Sequence, residues 1–159
     1  MKLNVSGSRI LQGVTSLFTA DSTPKRVLVV DDEDSVRRFI ARVLQGAGYI
    51  VETAATGPEG LEAFDRGAAF DIIVSDVRMP GMSGPRFIAE LRRKEADVKV
   101  LYLTGYADQL FSERETLWED EAFLDKPCTM KGLLESVELL MTGRILPHEQ
   151  RRIFDQQWH

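Results

Sequence analysis

From Lys25 onward, short apolar runs rich in β-branched residues alternate with stretches of helical periodicity, and this alternation confines the chain to βα units wound into a parallel sheet. Five runs read as strands: Val27-Leu28-Val29-Val30, Tyr49-Ile50-Val51-Glu52-Thr53, Ile72-Ile73-Val74-Ser75, Val98-Lys99-Val100-Leu101-Tyr102-Leu103 and Ala122-Phe123-Leu124. The first, third and fourth are nearly unbroken apolar segments, as suits interior strands covered on both faces. The second mixes in Glu52 and Thr53 and is expected at an edge. The predicted fold class is α/β, a doubly wound five-stranded parallel sheet with helices on both faces.

The intervening helices are legible from their spacing. Val36, Phe39, Ile40, Val43 and Leu44 stand at i, i+3, i+4, i+7 and i+8, one apolar stripe that Gly46 and Gly48 bring to a stop. Pro58 and Pro85 each follow a glycine and suit the first helical turn, where a missing N–H loses no intrahelical bond. They open segments bearing Leu61 with Phe64, and Ile88 with Leu91. Met130, Leu133, Leu134, Val137, Leu140 and Met141 mark the last helix. Between Ala107 and Asp120 the pattern is irregular, because Ser112-Glu113-Arg114-Glu115 separates Leu110 and Phe111 from Leu117 and Trp118. That helix is expected to be the shortest or most mobile.

Length and composition fit one compact domain: 159 residues, 43% of them hydrophobic, bury a real core and leave room for extensions. The expected division is an N-terminal extension over 1–24, a domain over 25–142 and a tail over 143–159. Ile10, Leu11, Val14, Leu17 and Phe18 lie at helical spacing before Asp21-Ser22-Thr23-Pro24 breaks the pattern. The polar face of that segment is nearly uncharged, so packing on protein is expected rather than a membrane surface, and a homodimer is one form it would take. The tail, with Phe154 and Trp158 four apart, is too short to be an output domain.

Charge and cysteine usage exclude further classes. Twenty basic against twenty-five acidic residues leave a net charge of −5, which repels nucleic acid backbones. The lone Cys128 forms neither an internal disulfide nor a cysteine metal cluster and fits a reducing compartment. No apolar run approaches the length of a membrane span, so a cytoplasmic location is expected.

In a right-handed doubly wound sheet, residues just after the strands gather at the carboxyl edge, where ligands bind. Asp31-Asp32 follows the first strand, Asp76 the third, Thr104-Gly105 the fourth and Lys126-Pro127 the fifth. Singly, these are a solvated strand end, a turn or cap residue, a turn hydroxyl and a surface cation. Together they put three carboxylates, a hydroxyl and an ammonium at one edge. A carboxylate is already ionised near neutral pH, so as a nucleophile toward phosphorus it needs relief from charge repulsion more than it needs a base. A Mg²⁺ ion, which takes oxygen ligands and keeps several waters, and a cationic side chain supply that relief.

The segments Val-Leu-Val-Val-Asp31-Asp32-Glu33, Ser75-Asp76-Val77-Arg78-Met79-Pro80-Gly81-Met82-Ser83-Gly84, Leu103-Thr104-Gly105 and Asp125-Lys126-Pro127 resemble the response-regulator receiver family of two-component signalling over about residues 25–142. The wording after Asp76 and before the last helix is similar to receivers of hybrid histidine kinases. The resemblance implies a flavodoxin-like strand order 2-1-3-4-5, Asp76 as phosphoacceptor, and Mg²⁺ on Asp32 and Asp76. It further implies that the Arg78 carbonyl completes the protein ligands, with Asp31 acting largely through metal-bound water. Lys126 is expected to pair with a phosphoryl oxygen, through a peptide bond to Pro127 that the family suggests is cis. Thr104 and Tyr106 would form the switch that changes the face of the fourth helix, fifth strand and fifth helix. Glu33 is expected either beside the metal or favouring the first turn of the next helix.

Neither His148 nor His159 lies on a convincing phosphoacceptor helix, so the implied donor is a histidine kinase or histidine phosphotransfer protein, with a downstream protein as target. The expected role is a single-domain signalling phosphoacceptor in a phosphorelay, not an enzyme on other substrates and without DNA-binding output. Two alternatives compete. A pseudo-receiver would bind partners without phosphorylation, but has no need of all five polar elements. An aspartate-nucleophile phosphatase of the haloacid dehalogenase type would place its nucleophile in an Asp-x-Asp motif after the first strand, where Asp31-Asp32-Glu33-Asp34 stands instead.

Overall fold

A computed structural model describes residues 23–67, 69–94, 98–105, 117 and 120–142. Strands β1 (Arg26–Val30), β2 (Ile50–Ala54), β3 (Ile72–Asp76), β4 (Lys99–Thr104) and β5 (Glu121–Asp125) alternate with helices α1 (Asp34–Gly46), α2 (Gly57–Asp65) and α3 (Gly84–Arg92); α4 (Met130–Thr142) follows β5. The strands form one parallel sheet in the order β2-β1-β3-β4-β5. Both the five-stranded parallel fold and the order implied by the resemblance are therefore present, with β2 at an edge as its polar residues require. Residues 1–22, the tail over 143–159 and most of the irregular segment between β4 and β5, Tyr106 included, lie outside the described residues.

Side chains alternate along each interior strand, so the sheet buries two cores. Leu28, Val30, Ile73, Val100 and Tyr102 pack with Phe87, Ile88 and Leu91 on one face. Val27, Val29, Ile72, Val74, Leu101 and Leu103 pack with Ile40, Leu44, Leu133 and Val137 on the other. β1 from Val27 and all of β3 are buried, which accounts for their nearly continuous apolar runs.

Three details depart from the sequence reading. Phe39, which helical spacing puts in the stripe of α1, is 40% exposed; the adjacent Ile40 and the later Leu44 take the buried positions, leaving Phe39 at the border of the stripe. Met130 is 59% exposed because it is the first residue of α4, and burial begins at Gly132 and Leu133. Tyr49 precedes β2 instead of opening it: its N–H donates to the Leu44 carbonyl, and pairing starts where the Ile50 N–H meets the Lys25 carbonyl at 2.9 Å.

The helix starts follow local chemistry. Thr56 caps α2 by accepting from the Glu59 N–H at 3.2 Å, and the Glu59 carboxylate reaches back to the Ala55 N–H at 2.8 Å. Ser83 caps α3 likewise. Pro58 and Pro85 sit in the first turns of these two helices, as their position after glycine predicts.

Candidate functional site

Strand register brings the polar residues together. β1 pairs with β3 through Val30 and Ser75, β3 with β4 through Asp76 and Leu103, and β4 with β5 through Thr104 and Asp125. The residues at and just after these strand ends, Asp31, Asp76, Thr104 and Lys126, therefore meet at the carboxyl edge. The connections are anchored by backbone: the Asp31 N–H donates to the Ala54 carbonyl, the Val77 N–H to Leu103 and the Lys126 N–H to Thr104. Lys126-Pro127 is the one cis peptide bond among the described residues.

One carboxylate oxygen from each of Asp31, Asp32 and Asp76 lies within 4.8 Å of the others. Asp31 and Asp76 are buried, and Asp32 is exposed. The Lys126 Nζ lies 2.8 Å from Asp31 Oδ2 and 3.3 Å from Asp76 Oδ2, bridging the two buried carboxylates. Asp31 Oδ1 accepts the Glu33 N–H at 2.9 Å, and Asp76 Oδ1 accepts the Arg78 N–H at 3.4 Å.

The Asp76 carboxyl is raised to about 6: burial is the largest cause and Asp31 adds to it, while Lys126 and the Arg78 N–H work against it. Lys126 is also partly desolvated, which favours its neutral form, yet the two aspartates more than compensate and hold its pKa above the ordinary lysine value. Burial likewise raises the nearby Cys128 thiol, so it is a poor nucleophile.

The loop after Asp76 shows why it is rich in glycine. Gly81 has φ +80°, a conformation that a side chain disfavours. Gly84 donates its N–H to the Val77 carbonyl at 2.9 Å, and a Cβ built there would stand 2.1 Å from the Asp76 carbonyl oxygen. The start of α3 is thus pressed directly against the backbone of Asp76.

The family model described as "Response regulator receiver domain" matches residues 27–138. The chain belongs to the response regulator receiver domain family. The receiver is 41% identical over 116 residues to the sensor kinase CckA of Brucella abortus, covering 72% of this chain but 12% of that protein. It is 26% identical to the response regulator receiver protein CpdR of the same organism, across 74% of this chain and 97% of CpdR. Among solved structures, the response regulator TrrA of Thermotoga maritima in complex with Mg²⁺-BeF superposes with a TM-score of 0.62 at 37% identity, covering 73% of this chain and 98% of that one.

Of the residues expected at the receiver's site, Asp31, Asp32, Asp76 and Lys126 are brought together, and the buried Thr104 ends the adjoining strand. Arg78 lies two residues beyond Asp76, exposed, with its N–H turned to the Asp76 carboxylate. Glu33 occupies the N-cap position of α1 and accepts the Ser35 hydroxyl at 3.1 Å. Tyr106, the expected switch aromatic, lies outside the described residues. The oxygen-only donor set of the three aspartates suits a hard divalent cation such as Mg²⁺. Sequence reasoning missed Arg37, whose Nη1 donates to the Asp31 carbonyl at 2.8 Å. Its place one turn after four consecutive acidic residues was the available signal.

Proposed function

We propose that this receiver is a phosphoacceptor of a two-component phosphorelay, accepting a phosphoryl group on Asp76. The observation that carries the reading is the Lys126 ammonium between Asp31 and Asp76, with a carboxylate oxygen of Asp32 within 4.8 Å of theirs. With its pKa near 6, Asp76 is mostly ionised at neutral pH and needs no base. Its carboxylate oxygen attacks phosphorus as the bond from phosphorus to the donor atom breaks, and the donor leaves with the bonding pair.

Asp32, Asp76 and the Arg78 carbonyl would hold Mg²⁺, with the Asp31 carboxylate beside them. When bound, Mg²⁺ supplies the positive charge that offsets the three carboxylates and the incoming phosphoryl oxygens. Lys126 exchanges a carboxylate contact for a phosphoryl oxygen, and Thr104 donates its hydroxyl to another. Thr104 and Tyr106 then pass the change to the face of the fourth helix, fifth strand and fifth helix, where a downstream protein docks. The donor is a histidine kinase or histidine phosphotransfer protein, and the exchange takes place in the cytoplasm. The likeness to a sensor kinase and to CpdR supports this placement.

Incubation with acetyl phosphate and Mg²⁺, read by intact mass, tests the reading. The expected result is a single added phosphoryl group in the wild type, absent in Asp76→Asn and absent in EDTA. Failure to label, together with failure to form a beryllofluoride complex, would leave a receiver that binds partners without phosphorylation.

A further inference from the structure

Asp31-Asp32-Glu33-Asp34 places four consecutive carboxylates in the turn after β1 and the first residue of α1. Such a turn repels itself, and α1 has no side-chain cap to shape its start. Arg37 reaches back across it. Its Nη1 donates to the Asp31 carbonyl at 2.8 Å and its Nη2 to Asp34 Oδ1 at 2.7 Å, while its backbone N–H bonds the Glu33 carbonyl at 2.9 Å. The side chain is only 17% exposed, so the fork is fixed in place. The next residue provides a natural contrast. Arg38 also pairs with Asp34, at 2.7 Å, but its side chain is 70% exposed and it bonds no part of Asp31.

We propose that Arg37 is a positioning residue for the metal site, holding the acidic turn in ligating shape through the Asp31 carbonyl. The inference rests on the Mg²⁺ reading of the site. Physical chemistry gives the two roles of Arg37 opposite signs. A cation close to a metal site weakens binding of a second cation, so loss of its charge alone would tighten Mg²⁺ binding. Loss of the fork loosens the backbone from which Asp31 and Asp32 project, and so weakens it.

Calorimetric Mg²⁺ titration of wild type, Arg37→Gln, Arg37→Lys and Arg38→Gln separates these effects, with urea unfolding in EDTA reporting the integrity of each variant. Arg37→Gln is expected to raise the Mg²⁺ Kd by about tenfold, the scale of groups that orient metal ligands. Arg37→Lys keeps the charge but cannot fork to both acceptors, and should fall between. Arg38→Gln loses the same charge from the same partner and should bind Mg²⁺ as tightly as wild type or more so. Unchanged or tighter binding in Arg37→Gln, beside normal binding in wild type, overturns the inference alone. If Arg37→Gln does not fold, wild-type affinity in Arg37→Lys overturns it. A wild-type chain that binds no Mg²⁺ overturns the metal reading and the inference with it.

Discussion

At Asp76 burial and ion pairing oppose each other, and burial wins. Its folded-state pKa, near 6, lies above the usual carboxylate value of 3.8, so the folded chain holds this proton more tightly than the unfolded chain. The stabilisation is complete below the unfolded value and is lost as pH rises through about 6. In EDTA, Asp76→Asn should therefore be more stable than wild type at pH 7.5, by about 1–2 kcal/mol after allowance for residual solvation. Urea melts at pH 7.5 and 4.5 check this, since the advantage should shrink at the lower pH. Lys126→Met should slow labelling by acetyl phosphate about 10²–10³-fold, the loss typical of removing a charge-stabilising donor, as time-resolved intact mass would read. Sequence placed Asp31, Asp32, Asp76 and Lys126 at one edge because each directly follows a strand. It did not reveal that Asp31 is buried and directly bonded to Lys126, which depends on packing across 95 residues of chain.

Elements contribute through their ends. Gly84 begins α3 against the Asp76 carbonyl, where an added Cβ meets backbone that cannot swing aside. Gly84→Ala should cost about 1–3 kcal/mol in urea unfolding, with labelling impaired as well. Gly57→Ala offers the contrast: its Cβ would meet the flexible Met82 side chain, with sulfur nearest at 2.7 Å, so the loss should be clearly smaller. Thr56→Ala removes the hydroxyl cap of α2 and should lower stability by about 1 kcal/mol without affecting labelling. Strand positions were legible to within a residue or two because each is a compact apolar run between turn signals. The border cases, Tyr49, Phe39 and Met130, were not, since period alone does not say where a neighbouring backbone begins to pair or a helix begins to be covered.

For the molecule as a whole, a ligand that binds only the folded state raises stability by mass action. Mg²⁺ at ten times its Kd should add about 1.4 kcal/mol to wild type and much less to Asp32→Asn, measured as a shift in the urea midpoint. Among the described residues no helix is long and apolar enough to cross a membrane. The α/β class could be read from periodicity, but the strand order could not: runs of similar composition fit several windings, and 2-1-3-4-5 came with the resemblance. The division of the interior into two cores, by contrast, follows from strand alternation alone.

The crowding at Gly84 reaches beyond stability. The Asp76 carbonyl accepts the Ser75 hydroxyl at 2.9 Å, the adjoining Val77 is bonded at both its N–H and its carbonyl, and α3 closes off the space behind. If Asp76 takes up a phosphoryl group as proposed, its side chain gains further negative charge while the main chain behind it has nowhere to recoil. Such a group would leave Thr104, at the end of β4, and Lys126, just after β5, to make room for it, so the packing that holds the Asp76 backbone would also fix the side on which the change is felt.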